Sequence, residues 1–193
     1  MNAPAPQTLG RYELVSLLGR GGHGEVWRAR KVGPLGFSAE VAIKVLNATG
    51  SGEQLQREAR LGALLRHPNV VAVHGLEQID DRWVMEMELV EGCSLRQVIK
   101  RRRSLSPRAL ISLGRQVLEG LAHIHDLEVD GDRVGMVHRD IKPGNLLIDG
   151  AGTVRIADLG VACLAQTHTA AGTIGYASPE QLLNRGLDYR ADL

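Results

Sequence analysis

The chain has 193 residues, 44% of them hydrophobic, which is enough to bury a sizeable core as one large domain or two small ones. Its 23 basic and 22 acidic residues leave a net charge of +1, so electrostatics gives no reason to expect nucleic acid or a membrane surface as partner. The two cysteines, Cys93 and Cys163, form no C-x-x-C, which argues against a disulfide framework or a zinc site and suits a reducing, cytoplasmic setting.

The first residues lack both the basic start and the apolar run of a signal peptide. Their Pro/Ala composition predicts a disordered lead over residues 1–10. No stretch approaches the ~18 apolar residues of a membrane span.

From residue 12 the pattern is strand, glycine-rich turn, strand: 12–18, then Gly19-Arg20-Gly21-Gly22-His23-Gly24, then 25–30. Residues 31–40 are rich in turn formers, and Val41-Ala42-Ile43-Lys44-Val45-Leu46 is a third strand. Leu55, Glu58, Leu61 and Leu65 recur at helical spacing, which predicts a helix over 54–66 ended by Pro68. Residues 70–76 and 82–90 read as two more strands. Beyond Gly92 the character changes, with helices predicted over 94–100 and 107–125. Ser106 is placed to cap the second, with Pro107 at its first position. A polar loop over 126–135 leads to Val137-His138-Arg139-Asp140-Ile141-Lys142-Pro143-Gly144-Asn145. Asp149-Gly150 then punctuates a hairpin.

The stretch from His138 to Asn145 carries the sharpest chemical signal. It sets Asp140 and Asn145 on one loop in the spacing H-R-D-x-x-x-x-N. A phosphoryl transferase needs both a carboxylate at the attacking hydroxyl and an oxygen ligand for a divalent cation. Gly19, Gly21 and Gly24 form G-x-G-x-x-G, which alone also marks dinucleotide-binding units. There the third glycine opens a helix, whereas here a strand follows. A lysine on an apolar strand, Lys44, calls for a partner because a buried ammonium is costly. Glu58 on the next helix is the expected counter-ion. Asp158-Leu159-Gly160 supplies a second carboxylate after a strand.

Taken in this order, from Tyr12 to the last residue, the motifs resemble a protein kinase domain. Lys142, two residues after Asp140, is the serine/threonine version of the loop. The glycine-rich connections are similar to those of bacterial eukaryotic-like (Hanks-type) serine/threonine kinases. The resemblance implies an α+β, bilobal fold, with an antiparallel sheet and one helix over 11–90 and a mainly helical lobe from 91 to 193 that stops short of the family's later helices. It implies ATP and Mg²⁺ (or Mn²⁺) as cofactors, and protein Ser/Thr hydroxyls as acceptors. It adds a homodimer for trans-autophosphorylation, with neither nucleic acid nor membrane as partner. The alternative from another class is a catalytically inactive nucleotide-binding regulatory module.

By the same resemblance Asp140, Lys142, Asn145, Lys44 and Glu58 carry catalysis, and Asn145 and Asp158 hold the metal. Gly19, Arg20, Gly21, Gly22, His23 and Gly24 cover the phosphates. Val26, Ala42 and Leu147 enclose the adenine, Met87 is the gatekeeper, and Glu88 and Val90 lie in the hinge. Arg139 implies activation by a loop phosphate, with Thr167 and Thr169 as acceptors. Thr173 is assigned a structural bond to Asp140 and Lys142, and Asp192 a bond to the catalytic-loop backbone. His123 and His125, two apart on one helix, cannot share a face and are discounted as a metal pair.

Overall fold

The computed structural model describes residues 7–22, 24–47, 52–102, 104–159, 163–164, 173, 175–183 and 185–193, and of these it leaves undescribed the side chains of 52–55, 57, 58, 163 and 164. Two compact units emerge, Met1–Ala63 with Ala72–Leu89, and Leu64–Val71 with Val90–Leu193.

Among the described residues the first unit is a six-stranded antiparallel sheet with one α-helix. Its strands are β1 (Thr8–Leu9), β2 (Tyr12–Gly21), β3 (Gly24–Val32), β4 (Ser38–Leu46), β5 (Val73–Ile79) and β6 (Arg82–Met87), in the order β1-β2-β3-β4-β6-β5. Helix α1 spans Gly52–Leu64. Strand β1 therefore lies inside the stretch expected to be a disordered lead. Thr8 pairs with Glu13, and Leu9 is buried in the core because β1 adds an edge to the sheet.

Side chains alternate between sheet faces. One face buries Leu9, Tyr12, Ala29, Val41, Ile43 and Val84, with Leu14, Trp27, Val45 and Ile79 packed against them. A polar knot closes this core. The Tyr12 hydroxyl bridges the carboxylates of Glu77 (2.5 Å) and Glu86 (2.6 Å), and Lys31 Nζ donates to Glu86 at 3.0 Å. Burial first, then the two carboxylates, push the Tyr12 hydroxyl well above its ordinary pKa. For Glu86 burial pushes the carboxyl up, but the hydrogen bonds from Tyr12 and Lys31 outweigh it and hold the group below the usual carboxylate value.

The second unit is built around α3 (Pro107–His125), with the predicted boundaries, Pro107 at its first turn and Ser106 Oγ accepting from Ala109 N at 3.2 Å. Helix α2 is Leu95–Lys100, capped by Ser94, whose strand β7 (Gly92–Ser94) pairs with β11 (Leu146–Asp149). Strand β11 pairs in turn with β12 (Val154–Ile156), forming the hairpin expected around Asp149-Gly150. The polar loop over 126–135 contains a small hairpin of its own, β8 (Glu128–Val129) with β9 (Asp132–Arg133). Strand β10 (Met136–Val137) pairs with β13 (Cys163–Leu164). The short helix α4 is Pro179–Leu182, and Tyr189–Asp192 is a 3₁₀ turn.

Residues Leu64–Val71 belong to this second unit for a visible reason. Val71 N donates to Ile156 O (2.9 Å), Ile156 N to Asn69 O (2.8 Å), and Asn69 Nδ2 to Val154 O (2.8 Å). The strand expected from residue 70 therefore begins only at Val73. Helix α3 packs on the same strand through Gly120, where a side chain would meet Asn69 O at 2.8 Å and Ile156 Cδ1 at 2.9 Å. Its opposite face leaves Leu110, Ile111 and Leu118 exposed. Among the described residues no helix is long and apolar enough to cross a membrane.

Candidate active site

Register in the first unit gathers one set of candidates on one sheet face. Val26 stands opposite Lys44, Lys44 opposite Met85, and Ala42 opposite Met87. Lys44 is only 3% exposed, and period-two alternation puts it on the same face as Ala42. Glu88 N donates to Ala72 O at 2.9 Å, which ties the segment after β6 to the start of β5. Glu58 lies in α1, and its side chain is outside the described part.

The glycine-rich run forms the tip of the β2–β3 hairpin, with Gly19 opposite Val26, Arg20 opposite Glu25 and Gly21 opposite Gly24. Its glycines are not equivalent. A Cβ on Gly24 (φ +137°) would stand 2.0 Å from Val45 O, so β4 itself excludes a side chain there. At Gly19, Gly21 and Gly22 no atom of the described residues, chain neighbours apart, lies within 4 Å of where a Cβ would stand. Packing asks for no glycine at these three, which leaves bare backbone free to approach an anion. His23 lies outside the described residues.

The second unit assembles the loop from His138 to Asn145. The Asp140 carboxylate, 3% exposed, is held from three sides. Lys142 Nζ donates to Oδ2 at 2.6 Å, Asn145 Nδ2 to Oδ2 at 3.1 Å, and the Thr173 hydroxyl to Oδ1 at 2.8 Å. Lys142 Nζ also donates to Thr173 Oγ1 at 2.7 Å. Asn145 Nδ2 reaches the Asp140 carbonyl as well, at 2.8 Å. Asn145 is therefore turned so that its amide nitrogen faces Asp140 and its amide oxygen is the atom left for a ligand. Ala157 N donates to Asn145 O (2.8 Å), which fixes the end of β12, and with it Asp158, beside the loop.

Two residues here adopt the left-handed backbone region that non-glycine residues avoid, Arg139 (φ +67°) and Asp158 (φ +69°). The bonds that hold Arg139 come from far along the chain. Asp192 accepts from His138 N (2.8 Å) and Arg139 N (2.7 Å), and Gln181 Nε2 donates to Arg139 O at 2.7 Å. His125 Nε2 pairs with Asp192 Oδ2 at 2.8 Å, while His138 Nδ1 accepts from Asp140 N at 3.3 Å. The remaining His138 nitrogen, Nε2, faces Ala157 O at 3.1 Å, so that nitrogen carries the ring proton.

His123 and His125 do part company, as their spacing requires: His123 stacks on His67 with ring centroids 5.1 Å apart, and His125 turns to Asp192. Sequence reasoning passed over both Gln181 and His125. One signal was present for Gln181: Ser178 and Gln181 have the S-x-x-Q spacing of a capping box. Val90 and Leu147 belong to the second unit, Leu147 paired with Ser94 and Arg155. Thr167, Thr169 and Gly160 fall outside the described residues.

All of this lies within one family match. Residues 12–193 correspond to the protein kinase domain, and the chain belongs to the protein kinase family. Among curated proteins it is 33% identical over 183 residues to serine/threonine-protein kinase PrkC of Bacillus subtilis, covering 89% of this chain and 27% of that protein. It is 36% identical over 195 residues to serine/threonine-protein kinase PknH of Mycobacterium bovis, covering 95% of this chain and 31% of that one. CBL-interacting protein kinase 21 of Oryza sativa subsp. japonica is 34% identical over 198 residues, 96% of this chain and 36% of the rice protein. The chain thus spans about three-tenths of the length of the two bacterial relatives.

Proposed function

We propose that the chain carries the catalytic machinery of an ATP-dependent serine/threonine protein kinase, its two compact units being the kinase lobes. One observation carries this reading: a hydroxyl, that of Thr173, sits between Asp140 Oδ1 and Lys142 Nζ at 2.8 and 2.7 Å. An acceptor Ser or Thr would make the same two contacts. Asp140 orients the incoming hydroxyl and accepts its proton as the oxygen bonds to the γ-phosphorus and the bond to the bridging β–γ oxygen breaks, releasing ADP. Lys142 offsets negative charge on the transferred group.

The bare backbone of Gly19, Gly21 and Gly22 covers the nucleotide phosphates, beside Lys44 with Glu58 as its partner. The kinase resemblance assigns adenine contacts to Val26, Ala42 and Leu147, the gatekeeper role to Met87 and hinge roles to Glu88 and Val90. The donor set of Asn145 and Asp158 fits Mg²⁺, since both offer hard oxygen ligands and Asn145's nitrogen is already committed to Asp140. Magnesium, when bound there, neutralises phosphate charge. Thr167 and Thr169 are the proposed autophosphorylation sites, because a phosphate added there carries the charge that an arginine such as Arg139 pairs with.

The test is to incubate the chain with Mg²⁺, γ-labelled ATP and a generic basic protein, and to identify the phosphoamino acids. Phosphoserine and phosphothreonine that disappear in Asp140→Asn support the reading. Phosphotyrosine alone, or incorporation undiminished in that variant, overturns it. Mg-ATP binding unchanged by Asp158→Ala would remove the metal assignment.

A further inference from the structure

We propose that Gln181 is a positioning residue for phosphoryl transfer: its amide N–H holds the carbonyl of the strained Arg139 peptide, and this bond is why an amide and not a carboxylate stands at that position. The inference rests on the kinase reading for its effect on rate, though not for its geometry.

Local helix chemistry alone leaves the choice open. Gln181 is the third residue of α4, and its Oε1 accepts from Ser178 N at 2.9 Å in a capping box. Glutamate serves a capping box as well as glutamine, and a negative charge in a first helical turn is favoured by the helix dipole. What separates the two is the other end of the side chain. Gln181 is 6% exposed, and its Nε2 donates to Arg139 O at 2.7 Å, across 42 residues of sequence. An ionised carboxylate has no donor, so it would set oxygen against oxygen at a buried site.

The grip is two-sided. Asp192 Oδ1 takes the N–H of Arg139 at 2.7 Å while Gln181 takes its carbonyl. A non-glycine residue at φ +67° persists where its surroundings over-determine it. The next residue is Asp140, so the direction of its carboxylate follows from how this peptide is held. The same short stretch of chain also supplies one of the three contacts to the Asp140 carboxylate. Tyr176 N and Ala177 N donate to Thr173 O at 2.7 and 3.1 Å, Thr173 bonds the Asp140 carboxylate, and Ser178 caps the helix that bears Gln181. Thr173 and Gln181 thus fasten the side chain of Asp140 and the backbone before it as one piece.

The experiment compares wild type, Gln181→Glu and Gln181→Met in the full chain. It follows thermal midpoint from about pH 5 to pH 8, amide hydrogen exchange at His138 and Arg139, and steady-state kinetics for ATP. The carboxyl introduced by Gln181→Glu, buried and facing a carbonyl, has its pKa raised. Protonated, it donates to Arg139 O, so that variant should approach wild type near pH 5. As pH rises it should lose stability, and its His138 and Arg139 amides should exchange about tenfold faster than wild type at pH 8. Gln181→Met conserves volume and does not titrate, so its loss relative to wild type should be the same at every pH. Both should lower kcat about tenfold at pH 8 with KM for ATP unchanged within twofold.

If Gln181→Glu matches wild type at pH 8, or its defect does not depend on pH, the bond to Arg139 is not what selects the amide and the proposal fails. If the amides loosen while kcat holds, the positioning role fails. Should wild type transfer no phosphate, the kinase reading falls, and exchange and pH dependence still decide whether Gln181 holds the Arg139 carbonyl. Should Gln181→Glu not fold, Gln181→Met decides: unchanged exchange at His138 and Arg139 overturns the proposal, and faster exchange at both supports it.

Discussion

Thr173 donates its hydroxyl proton to Asp140 Oδ1 at 2.8 Å while its oxygen accepts from Lys142 Nζ at 2.7 Å, so a side chain 33 residues beyond Asp140 completes that carboxylate's surroundings. If Asp140 is the base, Asp140→Asn should lower phosphoryl transfer by about 10²–10⁴-fold and leave ATP affinity nearly unchanged. Thr173→Ala frees one Asp140 oxygen without removing the carboxylate, and should cost about tenfold in kcat. Steady-state kinetics alongside nucleotide titration separates the two effects.

The glycine-rich tip should divide by position. Gly24→Ala forces a Cβ to 2.0 Å from the Val45 carbonyl and should destabilise the chain by about 2–3 kcal/mol. Gly21→Ala meets no atom of the described residues, its chain neighbours apart, within 4 Å, so it should leave the melting temperature almost unchanged while weakening ATP binding. Calorimetric melting and ATP titration of both variants test the contrast.

Replacing Tyr12 by Phe removes a hydroxyl that lies against two carboxylates. The expected loss is about 1–2 kcal/mol by denaturant melting.

Acid should weaken the same knot. The folded-state pKa of Glu86 is depressed from its ordinary 4.5, so its stabilising contribution is present above about pH 4.5 and is lost as pH falls through the lower folded value. Glu86→Gln should flatten the stability profile in that window, measured as urea midpoint between pH 5 and pH 3.

His67 should act at milder pH. Burial first, then the neighbouring His123, lowers its pKa from the ordinary 6.5. Its contribution is therefore complete above about pH 6.5 and is lost as pH falls from there through the depressed folded value. His67→Asn keeps an acceptor for the Asn69 N–H, which His67 Nδ1 now takes at 3.1 Å, without titrating. The variant should show a smaller drop in melting temperature from pH 7.5 to pH 5.5 than wild type.

Much of this molecule was legible along the chain because its signals are local. Helix α3 ends where Ser106, Pro107 and the apolar period place it, since capping and periodicity act within a few residues. Strand β4 follows from its apolar run, and the spacing of Asp140, Lys142 and Asn145 places three functional groups on one loop. The resemblance added Thr173 and Asp192, which no periodicity points to. The structure alone decided the rest. Residues 70–72 read as strand by composition, yet Val71 is taken by the Ile156 carbonyl and β5 starts only at Val73. Leu9 looked like part of a loose lead until β2 offered it an edge and a core. Gln181 and His125 gain their partners, Arg139 and Asp192, from 42 and 67 residues away. A local pattern records which conformation a segment favours, whereas such contacts exist only once the chain has closed and desolvated both groups. The sequence by itself therefore determined the long helix α3, the apolar strand β4, the order of the motifs and which functional groups share the loop from His138 to Asn145. Only the tertiary structure decided which distant side chains hold that loop in its strained conformation, because the energy that keeps Arg139 there comes from groups on other elements.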